Sequence, residues 1–323
     1  MRLLVPRHMA YDPSPSMDAL LGSLLRIRCE TVDMDAKQPP QPSNLFSGFV
    51  LPCTLGCIVV ATLFAVGCKT TPLTERKQLL IVSEEEENQM GLTAYQQVME
   101  EEPVSTNQSA AEMVKRVGER IAAVADRPDF KWEFNVIESP TQNAFCLPGG
   151  KVAVYTGILP VCETEAGLAV VMSHEIGHAI ARHGGERMSH QMVENQAKTA
   201  LEKLMKNKSD KTQQIVLTAY GAGAQYGAIL PYSRKHELEA DQIGLLLMAK
   251  AGYDPSEAPE FWERFAGSKQ GETPMEFLST HPSDAHRSSA LREQLPEAME
   301  IYEKAQEKLG SGKSLEGIVK PGV

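Results

Sequence analysis

The sequence predicts an α+β fold that is mostly helical and carries one small β-sheet. Three observations predict it: apolar residues recur at helical spacing over 84–101 and 109–125, the period changes to two between Lys131 and Tyr155, and from Glu163 onward the pattern is helical again. Ser83 is an acceptable N-cap for the first helix, and the four glutamates Glu84 to Glu87 suit the positive end of a helix. In the strand region Trp132, Phe134 and Val136 alternate with polar neighbours, and Val152 and Val154 follow a turn at Pro148-Gly149-Gly150. The helical remainder is expected to break at Gly184-Gly185, at Pro231, between Gly252 and Pro255, near Gly271 to Pro274, and at Pro282.

With 323 residues, 42% hydrophobic and 23% charged, the chain is globular, which excludes disorder throughout. Acidic residues outnumber basic ones 42 to 32, for a net charge of -10, and no Lys/Arg-rich block stands out, so a nucleic-acid partner is not expected. Residues 1–48, with prolines at 6, 13, 15, 39, 40 and 42, lack a sustained period and read as a disordered or untranslated extension. Residues 49–67 form an uncharged apolar run, FVLPCTLGCIVVATLFAVG, near the roughly 20 residues that span a bilayer. The run ends in Ala65-Val66-Gly67-Cys68, which resembles a lipobox, so Cys68 is the expected lipidation site and first mature residue; a single transmembrane anchor is the alternative. Residues 68–323 are then the folded domain. Cys146 and Cys162 remain within it, either paired or as buried thiols.

Residues 174–178 read His-Glu-Ile-Gly-His within an amphipathic helix. His174 and His178 stand one turn apart on one face, where both imidazoles reach one Zn²⁺, and Glu175 stands beside them to hold a water. A third protein ligand is needed, and Glu237 in SRKHELEADQIG can supply a carboxylate. Asp241, one turn further, can accept the second ring N–H of a ligand histidine. Glu239 falls on another face and reads as a surface or interhelix carboxylate, and His236 has at most a minor place near the cleft. His183 lies nine residues from His174, about 180° around a continuous helix, so it is given a structural role.

The chain resembles metallopeptidase family 48, a gluzincin family. The resemblance is carried by CKTTPLTERKQLLIVSEEEE at 68–87, NAFCLPGGKVAVYTGIL at 143–159, SHEIGHAIARHGGERMS at 173–189, LPYSRKHELEADQIG at 230–244 and THPSDAHR at 280–287. It implies a gluzincin-type zinc peptidase domain with the small sheet bordering the active-site cleft. It also implies one zinc per chain on His174, His178 and Glu237, with Glu175 as catalytic base. The strand Lys151, Val152, Ala153, Val154 and Tyr155 would border the cleft and accept substrate as an added strand. His281 would bind zinc in a resting state or contact substrate, and Arg287 would stabilise the oxyanion or form an ion pair.

The expected function is zinc-dependent endopeptidase acting on misfolded or unassembled envelope and membrane proteins. The expected place is a bacterial cell envelope, facing the periplasm and lipid-anchored, the outer membrane being favoured. The alternative is a lipid-anchored, chaperone-like factor that holds unfolded chains in the same cleft with little proteolysis.

Overall fold

The computed structural model describes residues 68–224, 230–267, 281 and 285–318, all within one compact unit, 56–323. The expectations for 1–48 and 49–67 lie outside the described residues. Among the described residues no helix is long and apolar enough to cross a membrane.

A hairpin opens the domain: β1 (Cys68–Thr70) pairs antiparallel with β2 (Lys77–Leu79). Helix α1 (Glu84–Glu101) begins where the sequence places it, because Ser83 and Glu86 form a capping box and Glu84 to Glu87 fill the first turn. Helix α2 (Gln108–Val124) is capped by the Asn107 side chain and buries Ala110, Met113, Val114, Val117 and Ile121, spaced three and four apart.

The expected sheet has three strands, β3 (Glu133–Ile137), β4 (Ala144–Leu147) and β5 (Lys151–Tyr155), in the order β3-β5-β4. β5 runs parallel to β3, with Phe134 opposite Val152, and antiparallel to β4, with Cys146 opposite Val152. Gly149 and Gly150 make the turn into β5 at φ of 85° and 82°. β5 is thus the central strand and both its edges are hydrogen-bonded. The expectation that a substrate strand adds at Lys151 to Tyr155 is corrected on this ground: the edge strand packed against the helix that carries His174 is β4.

After two short helical turns, Thr156–Ile158 and Leu159–Cys162, helix α3 (Glu165–Ile180) runs through the core with every residue but His178 buried. Its N-terminus is capped by Thr164 and by carbonyls of a late segment: Glu165 N–H donates to Lys313 O and Ala166 N–H to Ser311 O. The helix does not continue to Gly184. Arg182 adopts a left-handed conformation (φ 56°, ψ 37°) and a new helix, α4 (His183–Met205), begins at once. Helix α5 (Asp210–Ala224) packs back against α4.

Helix α6 spans Leu230–Lys250, and the expected break at Pro231 adjoins 225–229, outside the described residues. α7 (Glu257–Gly267) and α8 (Ala285–Glu303) pack against each other, and α8 also packs against α6. The central crossing is α3 against α6. A Cβ on Gly177 would lie 2.9 Å from the Ala240 carbonyl oxygen, and one on Gly244 would lie 2.9 Å from the His174 nitrogen. The two backbones therefore meet at a pair of glycines, one within the His-Glu-Ile-Gly-His segment.

Gly244→Ala is expected to destabilise the domain by about 1–3 kcal/mol, since a methyl there meets backbone and only a shift of one helix relieves it. Denaturant unfolding checks this, and an unchanged midpoint would mean that the helices separate freely.

Candidate metal centre

The crossing places side chains from two helices around one point. On α3, His174 and His178 turn their Nε2 atoms toward each other at 3.1 Å. From α6, Glu237 brings Oε2 to 3.4 Å from His174 Nε2 and Oε1 to 3.5 Å from His178 Nε2. His281 brings Nδ1 to 3.1 Å from Glu237 Oε2 and 3.4 Å from His174 Nε2. The four donor atoms lie within 4.8 Å of one another. A zinc ion with bonds of 2.0–2.1 Å in tetrahedral geometry sets its ligand atoms roughly 3.3 Å apart. The spacing and the N, N, O, N chemistry of the donors fit a zinc ion, and the group can hold a metal.

Glu175, next to His174, is buried, and its Oε1 has no hydrogen-bond partner among the described residues; His281 Nε2 lies 3.5 Å away. A buried carboxylate oxygen without a partner beside a metal-binding group is where a water would be held. Burial pushes the Glu175 carboxyl up, opposed by His281 and His174.

Behind the donors, each carboxylate has a stated partner. Asp241 Oδ1 is 2.9 Å from His174 Nδ1, so the ring donates there and keeps Nε2 for the metal. Arg287 donates to Asp241 through Nε and Nη2, both at 2.7 Å, its Nη1 lies 3.3 Å from Glu237 Oε2, and its guanidinium sits 4.0 Å over the Trp262 ring. Of the two expectations for Arg287, this geometry matches the ion pair, with Asp241 hydrogen-bonded and Glu237 beside Nη1. Burial works against the charge on Asp241, but Arg287 outweighs it and holds the carboxyl below its usual range. Glu237, although buried, is held well below the carboxylate range by hydrogen bonds from His174 and His281. For His174, burial opposes protonation, yet Asp241 and Glu237 push it up to about 9. Burial holds His178 well below the histidine range, and so in the neutral form that ligates metals.

Sequence reasoning missed two partners of this group. Because the left-handed turn at Arg182 ends α3, His183 is not half a turn away from the site. Its Nδ1 lies 2.8 Å from His178 Nδ1 and its Nε2 lies 2.9 Å from Glu239 Oε2. Of the two expectations for Glu239 the interhelix one holds: it is buried and meets His183 of the neighbouring helix. A left-handed non-glycine residue has no local sequence signal, though the Arg182 side chain is held there by Glu87 at 2.6 Å. Lys151 donates to the Lys131 carbonyl at 2.7 Å and lies 2.9 Å from Glu133. Cys146 and Cys162 are both buried free thiols, pushed up by burial.

The family model described as Peptidase family M48 matches residues 108–295, more than half of the chain. The chain is 40% identical over 231 residues to the mitochondrial metalloendopeptidase OMA1 of Schizosaccharomyces pombe, covering 70% of this chain and 66% of that one. It is 38% identical over 188 residues to the mitochondrial metalloendopeptidase OMA1 of Saccharomyces cerevisiae, covering 54% and 50%. It is 32% identical over 196 residues to a putative beta-barrel assembly-enhancing protease of Vibrio cholerae, covering 59% and 40%. The chain therefore spans between two fifths and two thirds of the length of these curated relatives. The expectation of a lipid-anchored, periplasm-facing place in a bacterial envelope is overturned, because relatives at 40% and 38% identity are named mitochondrial.

Glu237→Ala is expected to abolish stable zinc binding, and Asp241→Asn to weaken it by about 10- to 100-fold, since one carboxylate faces the metal and the other only orients His174. Zinc analysis of the purified variants checks this; equal zinc in both and in the wild type would place the third ligand elsewhere.

Proposed function

We propose, from the fact that this chain belongs to peptidase family M48, that it is a zinc-dependent endopeptidase that degrades misfolded or unassembled proteins. The observation that carries the reading is the convergence of His174, His178 and Glu237 with Glu175 alongside. Relatives named metalloendopeptidase and assembly-enhancing protease support both the chemistry and the substrate class. Their mitochondrial names support a mitochondrial location.

Zinc held by His174, His178 and Glu237 would supply Lewis acidity, lowering the pKa of water from about 15.7 toward 7 and polarising a peptide carbonyl. The chain's own residues do the rest. Glu175 takes the proton of the attacking water and passes it to the leaving amine, a task suited to a carboxyl raised by burial. Asp241 and Arg287 keep His174 and Glu237 in place while charge develops. β4 offers an edge on which an extended peptide can add as a strand, which favours unfolded over folded substrates.

His281 completes a set of four donors, and with all four engaged no position is left for water. The arrangement supports a resting state in which His281 occupies the fourth position and withdraws when substrate enters. A full catalytic set has no use in a factor that only holds unfolded chains, so proteolysis is the preferred reading.

Glu175→Gln is expected to retain zinc and lose cleavage of unfolded casein by several orders of magnitude, as does the wild type with chelator. Casein cleaved at the wild-type rate by this variant would remove Glu175 from the reaction. His281→Ala is expected to retain zinc and raise basal cleavage, and zinc lost with His281 would make it a resident ligand.

A further inference from the structure

Glu239 is the centre of a second arrangement, outside the donor group. Its two oxygens collect donors from one short loop between β1 and β2. Thr71 Oγ1 donates to Oε1 at 2.8 Å and Thr74 donates to the same oxygen, while Arg76 Nε donates to Oε2 at 2.6 Å. Arg76 is also bidentate to Glu186 at 2.9 and 2.6 Å, and Glu186 lies 2.9 Å from His236 Nε2. His183 stacks on His236 with ring centres 4.1 Å apart. The guanidinium of Arg76 stands between Glu186 and Glu239, where a second cation would otherwise be expected, so this cluster is not a second metal site.

With His183 neutral, the protons in this arrangement follow from the contacts. A carboxylate only accepts, so His183 Nε2, at 2.9 Å from Glu239, carries the hydrogen. A neutral imidazole has one donor and one acceptor nitrogen, so His183 Nδ1 accepts. His178 Nδ1, at 2.8 Å from it, must then donate, which leaves the lone pair of His178 on Nε2, facing His174 and Glu237. Asp241 does the same for His174 directly. The two ligand histidines are thus set by two carboxylates, one in contact and one through an intervening histidine.

We propose that His183 and Glu239 are positioning residues for the metal ligand His178, and that the loop 71–76 belongs to the metal centre through them. The inference rests on the metal reading given above. It makes the first described segment of the chain part of the site, although Thr71, Thr74 and Arg76 touch neither metal ligand nor Glu175.

Zinc competition against a chromophoric chelator, on the full chain, tests it. His183→Phe keeps the ring against His236 and removes both nitrogens; zinc binding is expected to weaken about 10- to 100-fold. The pair Thr71→Val and Thr74→Val, which removes two donors and keeps their shape, is expected to weaken zinc by less. Glu186→Gln cuts the other half of the Arg76 clamp without touching His183 or Glu239, and is expected to bind zinc as the wild type does. In the cobalt-substituted proteins, the visible absorption bands shift for His183→Phe and not for Glu186→Gln. Should His183→Phe fail to fold, judged by unfolding of the metal-free protein, Glu239→Gln takes its place with the same expectation of weakened zinc. Wild-type affinity in His183→Phe, or equal loss in Glu186→Gln, overturns the proposal; wild-type affinity in the threonine pair removes the loop from it. A wild-type chain with no measurable zinc would sink the metal centre itself, and this inference with it.

Discussion

Everything at the centre depends on how closely two helices can cross. α3 and α6 meet backbone to backbone at Gly177 and Gly244, where even a methyl group would stand within 3 Å of the other helix. Ridges of larger side chains ordinarily hold helix axes 8–10 Å apart. With the side chains removed at the crossing, His174 and His178 come within 3.5 Å of Glu237. The glycine inside the His-Glu-Ile-Gly-His segment thus belongs to the contact between the helices, while the residues on either side of it belong to the chemistry.

That contact creates an electrostatic demand. Glu175, Glu237 and Asp241 are all buried at one place, with the guanidinium of Arg287 against them among the described residues. Buried carboxylates without compensation are costly, and Arg287 answers only one of three. A divalent cation would answer buried carboxylate charge that Arg287 leaves, which is a reason besides ligand geometry for the site to favour one. The layer behind it is balanced by different means. Glu186 and Glu239 share Arg76 and are met by His236 and His183. The inner layer therefore favours a metal and the outer layer is satisfied by protein alone.

What the sequence made legible was local. The capping box at Ser83 and Glu86 fixes the start of α1, and the one-turn spacings of His174 with His178 and of Glu237 with Asp241 place each pair on a face, because both signals operate within a few residues. The β1–β2 hairpin was not legible, since three-residue strands have no period to detect. Nor was the order of the sheet, which put β5 in the middle: two strands with the same alternation do not reveal which of them is paired twice. The structural role expected of His183 stands, but its contact with His178 was not foreseen. A helical wheel assumes an unbroken helix, and the turn at Arg182 is paid for by an ion pair to Glu87, almost a hundred positions away in the chain. Arg287 and Asp241 likewise find each other only in three dimensions.

The cap on α3 has a consequence for how the molecule is made. The first two N–H groups of that helix are satisfied by carbonyls of Lys313 and Ser311, and Leu315 N–H closes the seam on Glu163. During synthesis the helix emerges long before those residues do. Chains fold from the N-terminal end as they leave the ribosome, so this helix keeps its leading end open to water until residues 311–315 have followed it. Pairings between segments so distant in sequence form slowly, because the loop between them must close first. The helix that carries His174 and His178 is therefore completed at its leading end only after residues 311–315 have been laid across it.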